Sequence, residues 1–212
     1  MPRGSLLSGG SLLSGRRLPR AFFAREVAIV ARDLLGRLLV RDDVVLRITE
    51  VEAYGGPEDS ASHCRAGRTP RNAAMWGPPG HAYVYLCYGI HSMLNLVCDR
   101  DGHGSAVLIR SCALVSGEAT VLARRRAKTS APSLIAGPGK VGAALALDTS
   151  WSGHPLFERG GLECCAGRSP AAVLVGPRVG VDYASPADRD APLRFAVAGE
   201  SAVSHSRSLR AE

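Results

Sequence analysis

The segment Val44-Val-Leu-Arg-Ile-Thr-Glu-Val-Glu-Ala-Tyr54 predicts a strand that is joined to a preceding strand at 38–41 by a turn at Asp42-Asp43. Because side chains alternate between the two faces of a strand, every second residue should share a face. One face is expected to carry Ile48, Glu50, Glu52 and Tyr54. Its two carboxylates would lie about 6.5–7 Å apart, which leaves room for one water between an acid and a base. A solvated strand face has the same pattern, so spacing alone does not choose between the two.

The apolar periodicity on either side of this segment predicts the remaining elements. Helices are expected over residues 25–36, about 116–126 and 138–147. Strands are expected at 38–41, 44–54, 81–88, 92–98, 106–110, 178–181 and 193–197. The strands cluster instead of alternating with helices, which favours the α+β class. We therefore predict a single domain in which a curved, mainly antiparallel β-sheet is surrounded by helices, with a β-hairpin protruding near Tyr88.

The composition is typical of a globular protein, and its basic charge is compatible with an anionic partner, although many basic proteins bind no nucleic acid. The 212 residues are 46% hydrophobic and 21% charged, and no apolar run is long enough to span a membrane. The formal net charge is +7 and the pI is about 9.4. Nearly all of the positive charge is on arginine, since Lys128 and Lys140 are the only lysines. Arginine suits phosphate recognition, although a coding bias towards GC-rich codons gives the same preference.

The two ends of the chain differ in composition from its centre. The N-terminus repeats Ser-Leu-Leu-Ser-Gly at 5–9 and 11–15 and lacks the continuous apolar core of a secretory signal. Residues 1–17 are predicted as a flexible tail, with an arginine-rich organellar presequence as the alternative. The folded domain is expected over 18–205, and residues 206–212 are expected to form a C-terminal tail.

The cysteines and histidines do not indicate a metal site. None of the six cysteines forms a Cys-x-x-Cys pair, and adjacent Cys164 and Cys165 do not make an ordinary disulfide. Buried or idle thiols in a reducing cytoplasm are the better interpretation. The ligand types around residues 98–103 lack the spacing of a zinc site. We therefore expect no metal, no cofactor and a cytoplasmic location.

A series of motifs in one order gives more specific information. From about Leu18 to about Val203 the sequence resembles the alkyladenine (3-methyladenine) DNA glycosylase family of the mammalian type, which is also found in bacteria. The motifs are Glu-x-Glu-Ala-Tyr at 50–54, Gly-Pro-Glu-Asp-x-Ala-x-His at 56–63, Thr-Pro-Arg-Asn at 69–72, Tyr-Val-Tyr-x-x-Tyr-Gly at 83–89, Met-x-Asn at 93–95, Val-Leu-x-Arg at 107–110, Gly-Pro-x-Lys at 137–140, Arg-Val-Gly-Val at 178–181 and Pro-Leu-Arg-Phe at 192–195.

This resemblance implies a role for three residues in hydrolysis. Glu52 corresponds to the general base that activates water against the sugar C1′ atom. Arg110 corresponds to a residue that helps to hold this water, and Val179 corresponds to a backbone carbonyl that contacts it. Glu50, the neighbouring acid, is left with a structural role.

The same resemblance implies how a damaged base is recognised. Tyr54, His63 and Tyr85 correspond to pocket walls that sandwich an extruded base, and Asn95 corresponds to a side chain that obstructs guanine. Tyr88 corresponds to a wedge that fills the gap left in the duplex. Gly89 follows it in a tight turn, and an aromatic ring at such a tip suits insertion better than core packing.

Basic residues near these motifs are candidates for DNA contacts. Arg65, Arg68 and Arg71 follow the predicted catalytic strand, and Lys140 lies in the Gly-Pro-x-Lys motif. We expect these four side chains to contact phosphates, although a solvated surface would also explain them. Residues 124–128 form a second basic cluster.

The expected activity is therefore that of a monofunctional DNA glycosylase that starts base excision repair. It would flip alkylated or deaminated purines out of double-stranded DNA as a monomer associated with the nucleoid. The substrate class is 3-methyladenine, 7-methylguanine, hypoxanthine and ethenoadenine. The alternatives are a binding module that shields lesions without excising them and a hydrolase of small nucleosides.

Overall fold

The computed structural model of the protein describes residues 15–212, and one nine-stranded sheet organises them. The strands are β1 Leu38–Arg41, β2 Val44–Tyr54, β3 Ala82–Cys87, β4 His91–Cys98, β5 Ser105–Ser116, β6 Leu162–Cys165, β7 Val173–Gly176, β8 Arg194–Val197 and β9 Arg210–Ala211. Their order is β3-β4-β5-β2-β8-β7-β9, and β1 pairs with both β2 and β6. All of these pairs are antiparallel, which confirms the predicted α+β class.

Short helices surround the sheet. They are α1 Arg20–Phe23, α2 Val27–Leu34, α3 Glu118–Arg125, α4 Pro138–Ala144 and α5 Pro186–Asp190, with 3-10 turns at Ala73–Trp76, Pro132–Ile135, Thr149–Trp151 and Ser206–Ser208. Glu26 caps α2, because its carboxylate accepts hydrogen bonds from the first free N–H groups of the helix. Gly36 follows α2 with φ at +80°, where a Cβ atom would lie 2.0 Å from the Arg168 carbonyl oxygen. The predicted helix therefore exists, and glycine is required where it stops.

The two faces of β2 have different environments. Ile48, Val51 and Ala53 belong to the main hydrophobic core, on the side that α2 covers. Glu50 and Glu52 are fully buried on the opposite side, among polar partners. The expectation that Ile48 shares the face of the carboxylates is wrong. The pairing with β5 shifts between Ile48 and Glu50, so Thr49 is an extra residue that reverses the alternation.

A second irregularity lies on β5, opposite the first. The register passes from Glu50 with Ser111 to Val51 with Ile109, so Arg110 has no residue directly opposite it. A β-bulge of this kind changes the direction of a side chain. Here the guanidinium of Arg110 reaches both carboxylates of β2. Arg110 was expected near the end of a strand, whereas β5 continues past it to Ser116.

Several boundaries differ from those predicted. Residues 178–181 form a loop instead of a strand, and the neighbouring strand is β7. Ser116 ends β5 instead of capping a helix, because its hydroxyl donates to the Asp43 carbonyl oxygen while Gly117 precedes α3 in a left-handed conformation. Strands β6 and β9 were not predicted.

The predicted C-terminal tail at 206–212 folds onto the sheet. Ser206–Ser208 forms a 3-10 turn, and β9 pairs with β7. The predicted N-terminal tail lies mostly outside the described residues, although Arg17 bridges to Cys165. The domain limits themselves stay a prediction. Among the helices formed by residues 15–212, none has the length and hydropathy that a membrane crossing needs.

Candidate active site

Glu52 lies at the centre of the candidate site and has no exposed surface. Three groups donate hydrogen bonds to its carboxylate. The backbone N–H of Val179 donates to Oε1 over 2.7 Å. The Tyr54 hydroxyl and the Arg110 guanidinium both donate to Oε2, over 2.9 Å and 3.2 Å. Hydrogen bonds of this kind stabilise the ionised form of a buried carboxylate.

Glu50 holds Arg110 in place beside Glu52. Its Oε1 accepts hydrogen bonds from Arg110, Arg194 and the Ser204 hydroxyl, and its Oε2 accepts from the Ser111 hydroxyl and the Ser204 N–H. Arg110 also donates to the Ser204 hydroxyl. Two carboxylates and two guanidiniums therefore form one buried cluster without net charge, as a buried ionic cluster requires. This agrees with the structural role expected for Glu50.

A cavity of about 600 Å³ opens beside this cluster. Its lining includes Tyr54, Arg110 and Val179, which are the three partners of Glu52. The remaining lining residues are Ala61, His63, Arg71, Met75, Tyr83, Tyr85, Cys87, Tyr88, Met93, Asn95, Leu108, Pro138, Gly180, Val181, Tyr183 and His205. Glu52 itself is not among the lining residues, and its carboxylate accepts hydrogen bonds from three of them.

One wall of the cavity is aromatic. The rings of His63 and Tyr85 meet edge to face with centroids 4.5 Å apart, and the Tyr83 ring lies 5.6 Å from that of Tyr85. A hydrogen bond of 3.0 Å joins His63 Nδ1 to the Tyr83 hydroxyl. Burial, followed by the positive charges of Arg71 and Arg65, lowers the pKa of His63 below its ordinary 6.5. The imidazole is therefore neutral at neutral pH.

Tyr54 connects the carboxylate to the cavity wall. Burial and the adjacent charge of Glu52 raise the pKa of Tyr54 well above its ordinary value, so its hydroxyl stays protonated and donates. The guanidinium of Arg178 lies 4.8 Å from the centroid of the Tyr54 ring and is not part of the lining. Asp59 binds that guanidinium with both oxygens. The ring is thus supported from outside the cavity by a cation–π contact.

Tyr88 occupies the tip of the β3–β4 hairpin, at the cavity mouth. Its side chain is 92% exposed, and its backbone adopts a left-handed conformation with φ at +51°. Gly89 follows with φ at +72°, and Ile90 N–H donates to the Cys87 carbonyl oxygen to close the turn. Left-handed backbone at two central positions is the geometry of a tight hairpin turn. A bulky residue there is unusual, and such outliers cluster at functional sites.

Asn95 lies on β4 in the cavity lining. Its amide nitrogen donates to the carbonyl oxygens of Tyr83 and Met93, and these two hydrogen bonds fix the orientation of the side chain. The structure therefore brings together in one cavity wall the six predicted residues Tyr54, His63, Tyr85, Tyr88, Asn95 and Arg110, with Val179 beside them.

Comparison with known proteins agrees with this arrangement. Residues 21–201 match the methylpurine-DNA glycosylase family. The chain belongs to this family. The DNA-3-methyladenine glycosylase of Arabidopsis thaliana is 58% identical over 182 residues, covering 85% of this chain and 71% of the plant protein. A Nitrosococcus oceani relative is 58% identical over 180 residues, covering 85% of this chain and 89% of its own length.

The family membership confirms the resemblance inferred from the motifs. The protein is a DNA glycosylase, and DNA is its partner. Val179 belongs to the site of this glycosylase, but it contacts Glu52 through its N–H. The expected contact of its carbonyl with a water stays a prediction.

The predicted phosphate contacts of the glycosylase lie at different places. Arg71 lines the cavity and donates to the Leu86 carbonyl oxygen. Arg65 lies 4.7 Å from the ring centroid of Tyr183, which also lines the cavity. Arg68 is exposed in the same loop. Lys140 donates to the Ser133 carbonyl oxygen from α4. Their contacts with DNA stay predictions.

The second basic cluster takes part in holding the fold together. Arg124 pairs with Asp42 and donates to the Ala144 carbonyl oxygen, while Arg125 donates to the Leu134 carbonyl oxygen.

Three residues of this candidate site were not predicted from the sequence. The Tyr83 hydroxyl is the hydrogen-bond partner of His63. Burial raises the pKa of Tyr83 to about 12, so this hydroxyl is protonated. Tyr183 is 58% exposed in the wall, with its hydroxyl bonded to the Ala61 carbonyl oxygen. His205 lies in the segment assigned to the domain end. Tyr83 stands inside the Tyr-Val-Tyr motif and could have been found there. Tyr183 and His205 have no local signal that distinguishes them from surface residues.

The six cysteines are free, as predicted. Five are buried, and Cys87 is partly buried in the cavity wall. Burial raises the pKa of Cys64 to about 11 and raises the pKa of Cys98, Cys112, Cys164 and Cys165 as well. These five thiols are therefore protonated at neutral pH and unreactive as nucleophiles.

Proposed function

We propose that this glycosylase hydrolyses the N-glycosidic bond of alkylated or deaminated purines that it has flipped out of duplex DNA. The class comprises 3-methyladenine, 7-methylguanine, hypoxanthine and ethenoadenine. The observation that carries the proposal is the position of Glu52, a buried carboxylate whose three hydrogen-bond donors all line one aromatic cavity. A base held in that cavity would bring its sugar close to the carboxylate.

The hydrogen bonds of Glu52 leave room for one more donor. An ionised carboxylate offers about four acceptor positions. Two on Oε2 bind Tyr54 and Arg110, and one on Oε1 binds the Val179 N–H. The fourth position, on Oε1, is the one that a catalytic water would use. The three protein donors orient the carboxylate before substrate arrives, which is the arrangement expected of a preorganised base.

The reaction proceeds at the sugar C1′ atom. Water gives a proton to Glu52 as its oxygen forms a bond to C1′, and the bond from C1′ to the purine nitrogen breaks with its electron pair on the purine. A cationic alkylpurine leaves as a neutral base, whereas a neutral lesion such as hypoxanthine leaves with the electron pair as an anion and takes up a proton from solvent water. The negative charge of Glu52 also stabilises the positive charge that develops on the sugar ring.

The aromatic wall explains a preference for electron-poor bases. Stacking on an aromatic ring contributes about 1–3 kcal/mol per base, and a positive charge on the base adds a cation–π attraction. His63 is neutral in this wall, because its pKa is lowered, so it does not repel a cationic base. The amide of Asn95 points its nitrogen at protein carbonyls, which fixes the side chain as a rigid obstacle to guanine.

The lining also supports excision by water, without a Schiff base. No lysine is found among the described residues that line the cavity, and the amine of Lys140 is bonded to the Ser133 carbonyl oxygen. A covalent intermediate of a bifunctional glycosylase needs such an amine. We therefore propose a monofunctional enzyme. Action as a monomer and association with the nucleoid remain part of the same proposal.

The test replaces the Glu52 carboxylate by the amide of glutamine, which is neutral and has the same shape. Glu52→Gln should lower single-turnover excision of ethenoadenine or hypoxanthine from duplex DNA by about 10²- to 10⁴-fold, the usual contribution of a general base. Affinity for the same duplex should stay within a few fold, measured by fluorescence anisotropy.

The matched control is Glu200→Gln, since Glu200 pairs with Arg47 away from the cavity. Substantial excision by Glu52→Gln would show that Glu52 is not the general base. If the wild type releases no free base from any lesion of the class, the protein is a binding module that does not excise. Efficient cleavage of free nucleosides would favour a small-molecule hydrolase.

A further inference from the structure

A basic turn borders the catalytic cavity at the C-terminal end of the chain. His205 lines the cavity and also lines an adjoining shallow hollow of about 560 Å³. The other lining residues of this hollow are Ser206, Arg207, Ser208 and Arg210. The two depressions therefore adjoin at His205, so a strand that delivers a nucleotide to the first would pass close to the second.

The backbone of this turn is held by the same buried cluster that contains the carboxylates. Arg194 is fully buried and donates to the carbonyl oxygens of Ser204 and His205 and to the Ser208 hydroxyl. Glu50 accepts from the Ser204 N–H over 2.7 Å. The turn is thus fixed relative to Arg110 and Glu52 and does not need to be ordered by a ligand.

The conformation of the turn is specific. His205 has φ at +44°, a left-handed backbone in a residue other than glycine. Such a conformation persists only where the surrounding bonds enforce it. Here the hydrogen bonds from Arg194 enforce it, and the chain reverses so that residues 206–210 line the hollow.

The charges of the turn are not balanced by acids. Arg207 and Arg210 form no ion pair with any acid among residues 15–212. Other arginines do, such as Arg25 with Asp33 and Arg189 with Asp190. Arg210 uses one nitrogen to bind the carbonyl oxygens of Arg207 and Leu209. Both side chains are exposed. Two unpaired guanidiniums beside an active site suit oxygen anions held in the planar geometry that arginine recognises.

We propose that the turn from Ser204 to Arg210 is a phosphate-binding subsite for the DNA strand that carries the flipped nucleotide, with Arg207 and Arg210 as its ligands. This inference rests on the proposed function, because it places on the turn the strand whose nucleotide enters the cavity. The subsite adds sequence-independent affinity and fixes the register of the strand on the enzyme. Neither role was expected for a C-terminal tail.

The experiment measures how the affinity of the full chain for DNA depends on salt. The double variant Arg207→Gln with Arg210→Gln is compared with the wild type on an undamaged duplex and on one with a single ethenoadenine. Each lost phosphate contact should reduce the slope of log affinity against log salt by about 1, so the double variant should lose about 2.

Two controls keep the outcome interpretable. Arg168→Gln removes an exposed arginine beside Gly36 at the end of α2 and should leave the slope unchanged. Arg207→Gln alone should reduce the slope by about 1, and it tests the subsite without removing the bonds that Arg210 makes to the turn. The thermal midpoint of each variant shows whether it folds like the wild type.

The subsite is rejected if the double variant keeps the wild-type slope. Inorganic phosphate is tested as a second ligand. If the wild type binds it saturably and the double variant does not, while both have the same salt slope for DNA, the turn is a site for free phosphate and the DNA subsite is rejected. Binding to the undamaged duplex requires no excision. A failure of Glu52 as the base therefore leaves this result standing, and a failure of the subsite leaves the chemistry at Glu52 untouched.

Discussion

Tyr54 shows how one side chain can serve both chemistry and recognition. Its hydroxyl donates to the Glu52 carboxylate over 2.9 Å, while its ring forms part of the cavity wall. The pKa of this tyrosine is raised by burial and by the charge of Glu52, so the donor keeps its proton at neutral pH. A ligand that stacks on Tyr54 is therefore held at a defined place relative to the Glu52 carboxylate.

His63 gives a prediction about pH at the same scale. Burial and the charges of Arg71 and Arg65 lower its pKa, so between the lowered value and 6.5 the unfolded chain binds a proton that the folded chain does not. The free energy of unfolding should therefore rise with pH across the window just below 6.5. In His63→Gln this contribution should be absent.

Urea unfolding of both proteins on either side of that window measures the difference. An NMR titration of the wild type should give a midpoint for His63 below 6.5. A midpoint above 6.5 would contradict the neutral imidazole in the wall, and with it the explanation for tolerance of cationic bases.

Among the elements, β2 and β5 decide the site through their irregularities. The extra residue Thr49 on β2 reverses the alternation, so Ile48 enters the core while Glu50 and Glu52 face the cluster. The bulge at Arg110 on β5 compensates for it and directs a guanidinium at both acids. Bulges beside active sites commonly redirect a side chain in this way.

The β3–β4 hairpin gives a prediction that separates folding from insertion. Tyr88 adopts a left-handed backbone that asparagine tolerates better than tyrosine, so Tyr88→Asn should leave the thermal midpoint unchanged or slightly raised. It also removes the ring that would fill the gap in the duplex. Excision from duplex DNA should fall by about 5- to 150-fold, which corresponds to losing about 1–3 kcal/mol of stacking.

Single-turnover assays on duplex and single-stranded substrates with one lesion provide the measurement. Because a single strand needs no flipping from a stack, the variant should act on it almost like the wild type. Tyr88→Phe keeps the ring and should retain most activity on both substrates. Wild-type excision from duplex DNA by Tyr88→Asn would show that the tip is not a wedge.

Across the whole molecule, residues distant in sequence meet at one buried cluster. Glu50 on β2 binds Arg110 on β5, Arg194 on β8 and Ser204 beyond β8. The C-terminal segment then continues into β9, which pairs with β7. The last residues of the chain are therefore part of the domain that supports the active site.

Leu209 tests this integration of the C-terminus. Its side chain is buried, and its Cδ2 atom lies 3.3 Å from the place where Gly176 would carry a Cβ atom. Leu209→Ala should lower the free energy of unfolding by about 2–5 kcal/mol, as expected for a large-to-small change in a core. Leu209→Met conserves volume and should cost less than about 1.5 kcal/mol. Equal urea midpoints for Leu209→Ala and the wild type would mean that the segment is a dispensable tail.

Local pattern was sufficient for much of the fold and for most of the site. The period of 3.6 in the region of α2, the existence of the strand β2 and the turn at Gly89 are properties of neighbouring residues, so the sequence alone specifies them. The site residues were found because their motifs resemble a family in order and spacing. That resemblance led to Glu52, Tyr54, His63, Tyr85, Tyr88, Asn95, Arg110 and Val179.

Tertiary structure alone decided the faces, the partners and the end of the chain. Strict alternation cannot reveal the extra residue at Thr49, because a bulge is defined by the partner strand. Asp59 and Arg178 are 119 residues apart and Glu50 and Ser204 are 154 apart, so no local pattern relates them. β9 has two residues and exists only because β7 offers it an edge. The chain by itself determines the longer elements, such as α2 and β2, whereas the short strands, the burial of charge and the pairing of distant strands depend on how those elements are brought together.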